Sequence, residues 1–165
     1  MGRDKCQEMI VVDLDRELPS LNGEFDVIVY GDILEHLKDP EMVFRHCNRH
    51  LKPGGAIIVS VPNFAHAWVR LNVLMGRLEY AERGILDRTH LRFFTLKSFR
   101  EFLSKAGVDV EKLVAVPAPL FLAVPERYHG MWLRAGHWLN AALARGWSTV
   151  FGYQFVAVAR KRSNP

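Results

Sequence analysis

The sequence predicts an α/β domain built on a mainly parallel β-sheet. Residues 25–30 and 56–61 are apolar almost throughout, which is typical of strands that are buried between layers of helices. Segments with helical spacing of apolar residues follow both of these runs. Such an alternation of buried strands and helices favours a parallel sheet. The 165 residues suit a single domain.

The first half of the chain contains the clearest boundaries. Strands are predicted at residues 9–12, 25–30 and 56–61. Asp39 and Pro40 predict a helix start, because aspartate caps helices and proline is tolerated at the first helical position. Residues 52–55, Lys-Pro-Gly-Gly, end that helix and turn the chain into the next strand.

The second half is predicted to contain three helices and two strands. We expect helices at residues 64–78, from Thr95 to Gly107, and at 126–145, with strands at 108–116 and 149–159. Pro117, Pro119 and Pro125 interrupt the pattern. Residues 117–148 are therefore interpreted as a proline-rich and helical insertion before the last strand, within one domain that spans residues 1–165.

Composition narrows the class of protein only slightly. The net charge of +4, from 22 basic and 18 acidic residues, is too small to indicate nucleic-acid binding. The two cysteines, Cys6 and Cys47, match no metal-binding spacing and favour a reducing compartment. No apolar run reaches the roughly 18 residues of a membrane span, and the first residues do not resemble a signal peptide. A cytoplasmic protein is expected.

A series of motifs carries a family resemblance. Residues 25–40 read FDVIVYGDILEHLKDP, residues 51–55 read LKPGG, and the following strand ends in VPN. In this order they resemble the middle of class I S-adenosylmethionine-dependent methyltransferases. The resemblance is closest to a small bacterial group, of the type 11/12 kind, that includes ubiquinone-biosynthesis O-methyltransferases. Residues 84–95, GILDRTHLRFFT, are similar to one subgroup of these enzymes.

The resemblance covers residues 9–116 and implies a partial fold. It implies a Rossmann-like sheet whose last strand is antiparallel and whose first βαβ unit is absent. None of the 12 glycines lies in a cluster such as G-x-G-x-x-G, which would hold the cofactor. The chain is therefore expected to be truncated at its N-terminus. Without the first strand, residues 25–30 have an open edge, which invites pairing with another chain. We expect a homo-oligomer or a missing N-terminal segment, although the N-terminal strand could also move in beside residues 25–30.

The resemblance also implies cofactor-binding residues for S-adenosylmethionine or S-adenosylhomocysteine. Asp13 and Leu14 match the positions that hold the adenine, by a carboxylate and a backbone N–H. Tyr30, Gly31 and Asp32 match the segment that lies along the methionine half. Two alternatives remain open, since Asp13 could simply end a strand, with Asp15 in its place, and Gly31 could be an ordinary turn residue.

His36 and His90 are the candidate catalytic residues. A histidine has the near-neutral pKa that suits removal of a proton from an acceptor hydroxyl. Asp32, Glu35 and His36 lie at helical spacing and match a stretch that is thought to hold a divalent metal in the ubiquinone O-methyltransferases. A structural role of these three side chains is favoured over the metal site, so that no metal is expected. His90, between Arg88 and Arg92, could face an anionic or sugar-like acceptor, or belong to a structural loop.

Two functions are consistent with these patterns. The first is methyl transfer from S-adenosylmethionine to a small-molecule acceptor, such as a sugar, a quinone or a lipid-linked precursor, with an activity that is incomplete in this chain. The second is a non-catalytic remnant that acts as a binding or dimerisation module. Residues 126–145 are rich in tryptophan and arginine. They are expected to pack on the sheet, with a substrate lid or a membrane-surface helix as the alternatives.

Overall fold

The computed structural model describes residues 8–162 and contains a four-stranded mixed sheet. The strands are β1 (Phe25–Gly31), β2 (Leu51–Pro62), β3 (Val108–Val116) and β4 (Gln154–Lys161). Their order across the sheet is β1-β2-β4-β3, with β1 parallel to β2 and β4 antiparallel to both of its neighbours. The predicted α/β class is confirmed, and so is the antiparallel last strand.

Six helices and two short 3-10 turns connect and flank these strands in the described residues. The helices are α1 (Pro40–Asn48), α2 (Ala67–Leu74), α3 (Leu96–Lys105), α4 (Leu120–Ala123), α5 (Met131–Gly146) and α6 (Ser148–Phe151), and the 3-10 turns are Leu34–His36 and Glu126–Tyr128. The predicted caps are confirmed. The Asp39 carboxylate accepts from the Met42 N–H at 2.9 Å, and Thr95 and Ser98 form a capping box.

The hydrophobic core lies between one face of the sheet and the helices α1 and α3. Phe44 of α1 contacts the ring of Phe102 of α3 edge-on, at 5.4 Å between ring centroids. The sheet contributes alternate residues to this core, as a pleated strand must. The largest fully buried apolar side chains are Phe44, Phe99, Phe155, Leu34, Ile57, Leu103, Val59, Val61 and Val69.

The strand predicted at residues 9–12 is wrong. These residues belong to no ladder, and Val11 is 86% exposed. A β-strand needs a neighbour to satisfy its backbone N–H and C=O groups. In the described part of the chain the ladders join only the four strands β1, β2, β3 and β4. An apolar, β-branched composition is therefore not sufficient to make residues 9–12 a strand.

The expectation that β1 is buried on both faces is also wrong. Tyr30 and Ile28 face the core, whereas Val27 and Val29 point to the other face, and Val29 is 63% exposed. No helix of residues 8–162 covers Val27 and Val29. The predicted open edge is confirmed, because β1 pairs only with β2 in the described residues.

Boundaries in the second half differ from those predicted. The last strand begins at Gln154 because residues 148–151 form α6, and the predicted helix at 126–145 divides into a 3-10 turn and α5. Gly152 lies between α6 and β4, where a side chain would not fit, since a Cβ there would lie 2.5 Å from the Ser148 carbonyl oxygen.

Two further expectations concern the cysteines and the membrane. Cys6 lies outside the described residues, and Cys47 is a half-buried thiol in α1. Within residues 8–162, no helix has the length and apolar character that crossing a membrane requires.

Candidate functional site

A polar cavity of about 300 Å³ opens beyond the carboxyl ends of β1 and β2. Ligands of open parallel sheets bind at this edge. The cavity is lined by Asp32, Glu35, His36, Pro62, Arg83, Gly84, Asp87, His90, Tyr153 and Gln154. The 3-10 turn after β1 supplies Glu35 and His36, and a long loop between α2 and α3 supplies the residues from Arg83 to His90.

Glu35 is the most perturbed group in this cavity. Its side chain is 1% exposed, and its Oε2 has no hydrogen-bond partner within residues 8–162. Burial raises the pKa of Glu35 to about 7, and the nearby Asp32 carboxylate adds to the rise. The Glu35 carbonyl accepts from the N–H groups of Leu91 and Arg92 at 2.8 and 2.9 Å. These bonds hold the loop between α2 and α3 against the turn that carries Glu35.

The two candidate histidines lie together. The rings of His36 and His90 meet edge-on, with 4.8 Å between centroids. The His36 Nδ1 lies 3.2 Å from the Thr89 carbonyl oxygen, and the His90 Nδ1 lies 3.1 Å from the Ile85 carbonyl oxygen. A carbonyl can only accept, so each Nδ1 carries a proton and donates it. In the neutral ring, Nε2 is then a free acceptor.

The surroundings of the histidines affect their charge and their orientation. Burial lowers the pKa of His90 and so favours the neutral form of this ring. Thr89 orients His36, since its hydroxyl donates to Asp87 at 2.6 Å and so accepts from the His36 Nδ1 at 3.0 Å. The cavity thus offers two imidazole nitrogens as hydrogen-bond acceptors beside a buried carboxyl group.

The same cluster has the composition of a cation site. Ligand atoms of Glu35, His36 and His90 all lie within 4.8 Å of one another. One carboxylate oxygen and two imidazole nitrogens suit a divalent transition metal. The set differs from the one considered from the sequence, because Asp32 lies outside the cluster. Its carboxylate accepts instead from the Ser60 hydroxyl at 2.9 Å and from the Gln154 amide.

Three of the candidate cofactor residues border one apolar groove. Leu14, Tyr30 and Gly31 line a groove of about 530 Å³ beside β1. At Gly31 a Cβ would meet no heavy atom within 4 Å, so the backbone is open to a close approach. The Tyr30 side chain points away into the core, where its hydroxyl donates to the Asn48 Oδ1 at 2.9 Å.

Asp13 and Asp32 do not line this groove. Asp13 lies in an exposed turn, where its carboxylate pairs with Arg16 at 3.1 Å and accepts from the Asp15 N–H. Asp32 has a positive φ of 49° and points into the polar cavity. The structure therefore separates the five candidate residues into a groove-lining group and two carboxylates outside it.

The groove fits only part of an S-adenosylmethionine molecule. Its lining is apolar around β1, which suits the adenine ring, and Gly31 leaves room for backbone contact. None of the described lining residues carries a charge, so the groove supplies no carboxylate for the ribose hydroxyls. The residues present would suit the adenine side of such a cofactor and would leave its ribose without a partner.

The sequence analysis did not identify two residues near the site, Tyr153, which lines the cavity, and Asn63, which is buried beside it in the chain after Pro62. Asn63 is fully buried, and its amide donates to the carbonyls of Thr149 and Gly152 at 3.2 and 2.7 Å. Tyr153 lines the polar cavity and closes against Gly84, where a Cβ would lie 2.8 Å from its hydroxyl. The Pro-Asn pair at the end of β2 was visible in the sequence, but only the fold reveals its contacts with the segment before β4.

Similar proteins agree with this architecture. The family model described as a methyltransferase domain matches residues 3–113. A probable S-adenosylmethionine-dependent methyltransferase of Mycolicibacterium smegmatis is 32% identical over 114 residues, which are 69% of this chain and 40% of that protein. The ubiquinone biosynthesis O-methyltransferase of Pseudomonas aeruginosa is 37% identical over 112 residues, which are 67% of this chain and 46% of that protein. The chain thus spans less than half the length of these relatives.

Solved structures share the fold at low sequence identity. A putative methyltransferase from Bacillus halodurans has a TM-score of 0.57 at 17% identity, covering 98% of this chain and 75% of that one. An S-adenosylmethionine-dependent methyltransferase from Clostridium acetobutylicum has a TM-score of 0.57 at 11% identity, covering 98% and 68%. S-adenosylmethionine is the cofactor of the enzymes that the chain resembles. With the family model matching most of its length, this chain belongs to the methyltransferase domain family.

Proposed function

We propose that this chain supplies the acceptor side of an S-adenosylmethionine-dependent methyltransferase that acts on a small molecule with a hydroxyl group. The observation that carries the proposal is the cluster of Glu35, His36 and His90 at the carboxyl ends of the parallel strands. A histidine with a free Nε2 in a partly buried cavity is suited to general base catalysis. A sugar, a quinone precursor or a lipid-linked precursor would each present such a hydroxyl.

Methyl transfer to a hydroxyl group requires that the protein align the donor with the acceptor and provide one proton acceptor. Methyl transfer from a sulfonium to oxygen releases the hydroxyl proton, and the sulfur leaves as a neutral thioether. The Nε2 of His90 accepts that proton, while Nδ1 holds the ring by its bond to the Ile85 carbonyl. His36 lies at the same opening and is the second candidate base, oriented by Thr89. Alignment of donor and acceptor contributes the rest of the rate enhancement.

The cofactor would share this edge of the sheet. Leu14 and Gly31 provide the adenine side, and a glycine-rich segment of the longer relatives' kind would provide the ribose side. The coverage of 40% and 46% of the relatives' lengths supports this division of the site. We propose S-adenosylmethionine as the donor and S-adenosylhomocysteine as the product.

Calorimetric titration with S-adenosylhomocysteine tests the proposal. We expect binding in the micromolar range if the groove and the carboxyl ends of the strands form a cofactor site. Gly31→Val should weaken it about tenfold or more, because the added side chain fills the space of close approach. The free protein should fold normally, since the new Cβ meets no heavy atom within 4 Å.

Gly130→Val is the matched control. A Cβ at Gly130 would also meet no heavy atom within 4 Å, and this residue has a negative φ and precedes α5, outside the groove. Its substitution should leave the binding constant unchanged. Absence of binding up to millimolar ligand would contradict a cofactor site in this chain alone, and equal losses in both variants would place the cofactor elsewhere.

We further propose that a second copy of the chain covers the open edge of β1 when no cofactor occupies the groove, since Val27 and Val29 also line that groove. Val27 and Val29 expose apolar surface beside backbone groups that have no ladder partner in the described residues. Antiparallel pairing of two β1 strands would join two sheets into one. Light scattering should report a dimer at micromolar concentration, and a monomer over that whole range would contradict the pairing.

A further inference from the structure

One face of α5 is exposed and apolar. Met131, Trp132, Trp138, Leu139 and Leu143 recur on this face, and Trp132 and Trp138 are 88% and 72% exposed. At 100° per residue these positions, with Ala135 and Ala142, fall within one half of the helix circumference. An exposed helix face of an ordinary domain is polar, so this arrangement is inverted.

The opposite face holds α5 to the domain. Ala144 is fully buried, and Leu133 and His137 are half-buried. The Asn140 amide donates to the Ala118 carbonyl at 3.0 Å. The helix is therefore fixed in orientation, and its tryptophans point outward because the other half of its circumference is already used for packing.

Neighbouring segments extend the apolar surface. Leu122 of α4, Tyr128 and Trp147 are also exposed. We call this set, together with the outward face of α5, the tryptophan face. Soluble proteins tolerate single exposed apolar residues, whereas large apolar residues gathered on one exposed helix face mark a binding surface.

The charged residues in the part of the sequence that carries the tryptophan face have a single sign, apart from one glutamate. Arg127, Arg134 and Arg145 accompany it, and Arg134 and Arg145 lie along one border of the exposed half of α5. Glu126 is the only acidic residue between Pro117 and the end of the sequence. A partner with negative charge therefore meets little repulsion from this part of the chain.

We propose that the tryptophan face binds the surface of an anionic phospholipid bilayer. Tryptophan prefers the membrane–water interface, where its ring is apolar and its N–H meets the headgroups. Arginine side chains bind phosphate and gain from the negative surface potential. The helix would lie in the plane of the interface, with its tryptophans among the acyl chains and its arginines at the headgroups.

The positive charge beside the tryptophan face disfavours binding of a second copy of this chain to that face. Two tryptophan faces in contact would bring Arg134 and Arg145 of both copies close together without carboxylates to offset the repulsion between them. An anionic lipid surface supplies the missing negative charge and accepts apolar side chains to a depth of several ångströms. The lipid surface thus satisfies both features of the face at once.

Vesicle sedimentation with the whole chain tests this proposal. We expect binding to vesicles of phosphatidylcholine and phosphatidylglycerol at about 7:3 and much weaker binding to pure phosphatidylcholine. The double variant Trp132→Gln, Trp138→Gln should lower the partition coefficient about a hundredfold, about tenfold for each large aromatic ring withdrawn. Trp68→Gln, on α2, is the matched control and should retain binding, because Trp68 is exposed outside the tryptophan face.

Substitution of Arg134 and Arg145 tests the contribution of charge to vesicle binding independently of the tryptophans. Arg134→Gln with Arg145→Gln should reduce binding about twenty-five-fold at low salt, about fivefold for each charge, and should flatten its salt dependence. Arg100→Gln, exposed on α3, should change neither. The proposal is overturned if the Trp68 variant loses as much binding as the double variant. It is equally overturned if the double variant changes the oligomeric state and leaves vesicle binding intact, since the face would then bind protein.

Discussion

The stability of this protein should fall by about 3 kcal/mol between pH 4.5 and pH 7.5 relative to its Glu35→Gln variant. The cause is the buried carboxyl group, whose pKa in the folded protein is about 7 against an ordinary value of 4.5. Below pH 4.5 the folded and unfolded chains both hold this proton. As pH rises toward 7 the unfolded chain releases it and the folded chain does not, so unfolding becomes more favourable. Above pH 7 the loss is complete and the difference stays constant.

Urea unfolding at a series of pH values, followed by tryptophan fluorescence, measures this difference. A glutamine at position 35 keeps the shape and has no titration, so its own curve isolates the contribution of the carboxyl group. Glu41→Gln, exposed on α1, is the control for removal of an acidic residue at the surface. Parallel pH profiles of the parent and the Glu35→Gln variant would show that the carboxyl group is solvated, against the described burial.

The Asn63→Ala substitution should destabilise the protein by about 3 kcal/mol. The Asn63 side chain donates to the carbonyls of Thr149 and Gly152, and its Oδ1 accepts from the Ala65 N–H at 3.0 Å. Removing the amide leaves buried backbone groups without partners, at about 1–3 kcal/mol for each. The loss should reach the polar cavity, because Tyr153 follows Gly152 directly and lines that cavity.

Chemical denaturation provides the measurement, and a second asparagine provides the control. Asn72 also donates to a carbonyl, that of Trp68 at 2.7 Å, but at the surface. Asn72→Ala should cost less than about 1 kcal/mol, because water replaces the lost bond. Equal effects of the two substitutions would contradict the view that Asn63 joins the end of β2 to the segment before β4.

Local signals explain which elements were predictable. The start of α1 follows from Asp39 and Pro40, and the start of α3 follows from Thr95, because a cap acts on N–H groups within one turn of itself. Strand β3 was predicted with its observed bounds, Val108–Val116. The apolar pattern of β1 and β2 was equally clear, although it could not show that β1 has an open face.

Proximity across the chain explains what was missed at the candidate site. The sequence grouped Asp32, Glu35 and His36 by spacing alone and considered His90 separately. The structure keeps Glu35 with His36, adds His90 and leaves Asp32 outside the cluster, because the loop between α2 and α3 returns to the end of β1. Helical spacing describes neighbours within one turn, whereas this cluster depends on where a long loop closes.

By itself, the sequence determined the α/β class, the helix starts and the family resemblance, because these depend on local patterns of apolar residues, caps and turn residues. The tertiary structure decided the rest. It left residues 9–12 without a strand, exposed one face of β1, and turned the tryptophans of α5 outward. The physical reason is common to all three: whether an apolar residue is buried depends on which other element covers it, and that partner is not encoded in the residue's own neighbourhood.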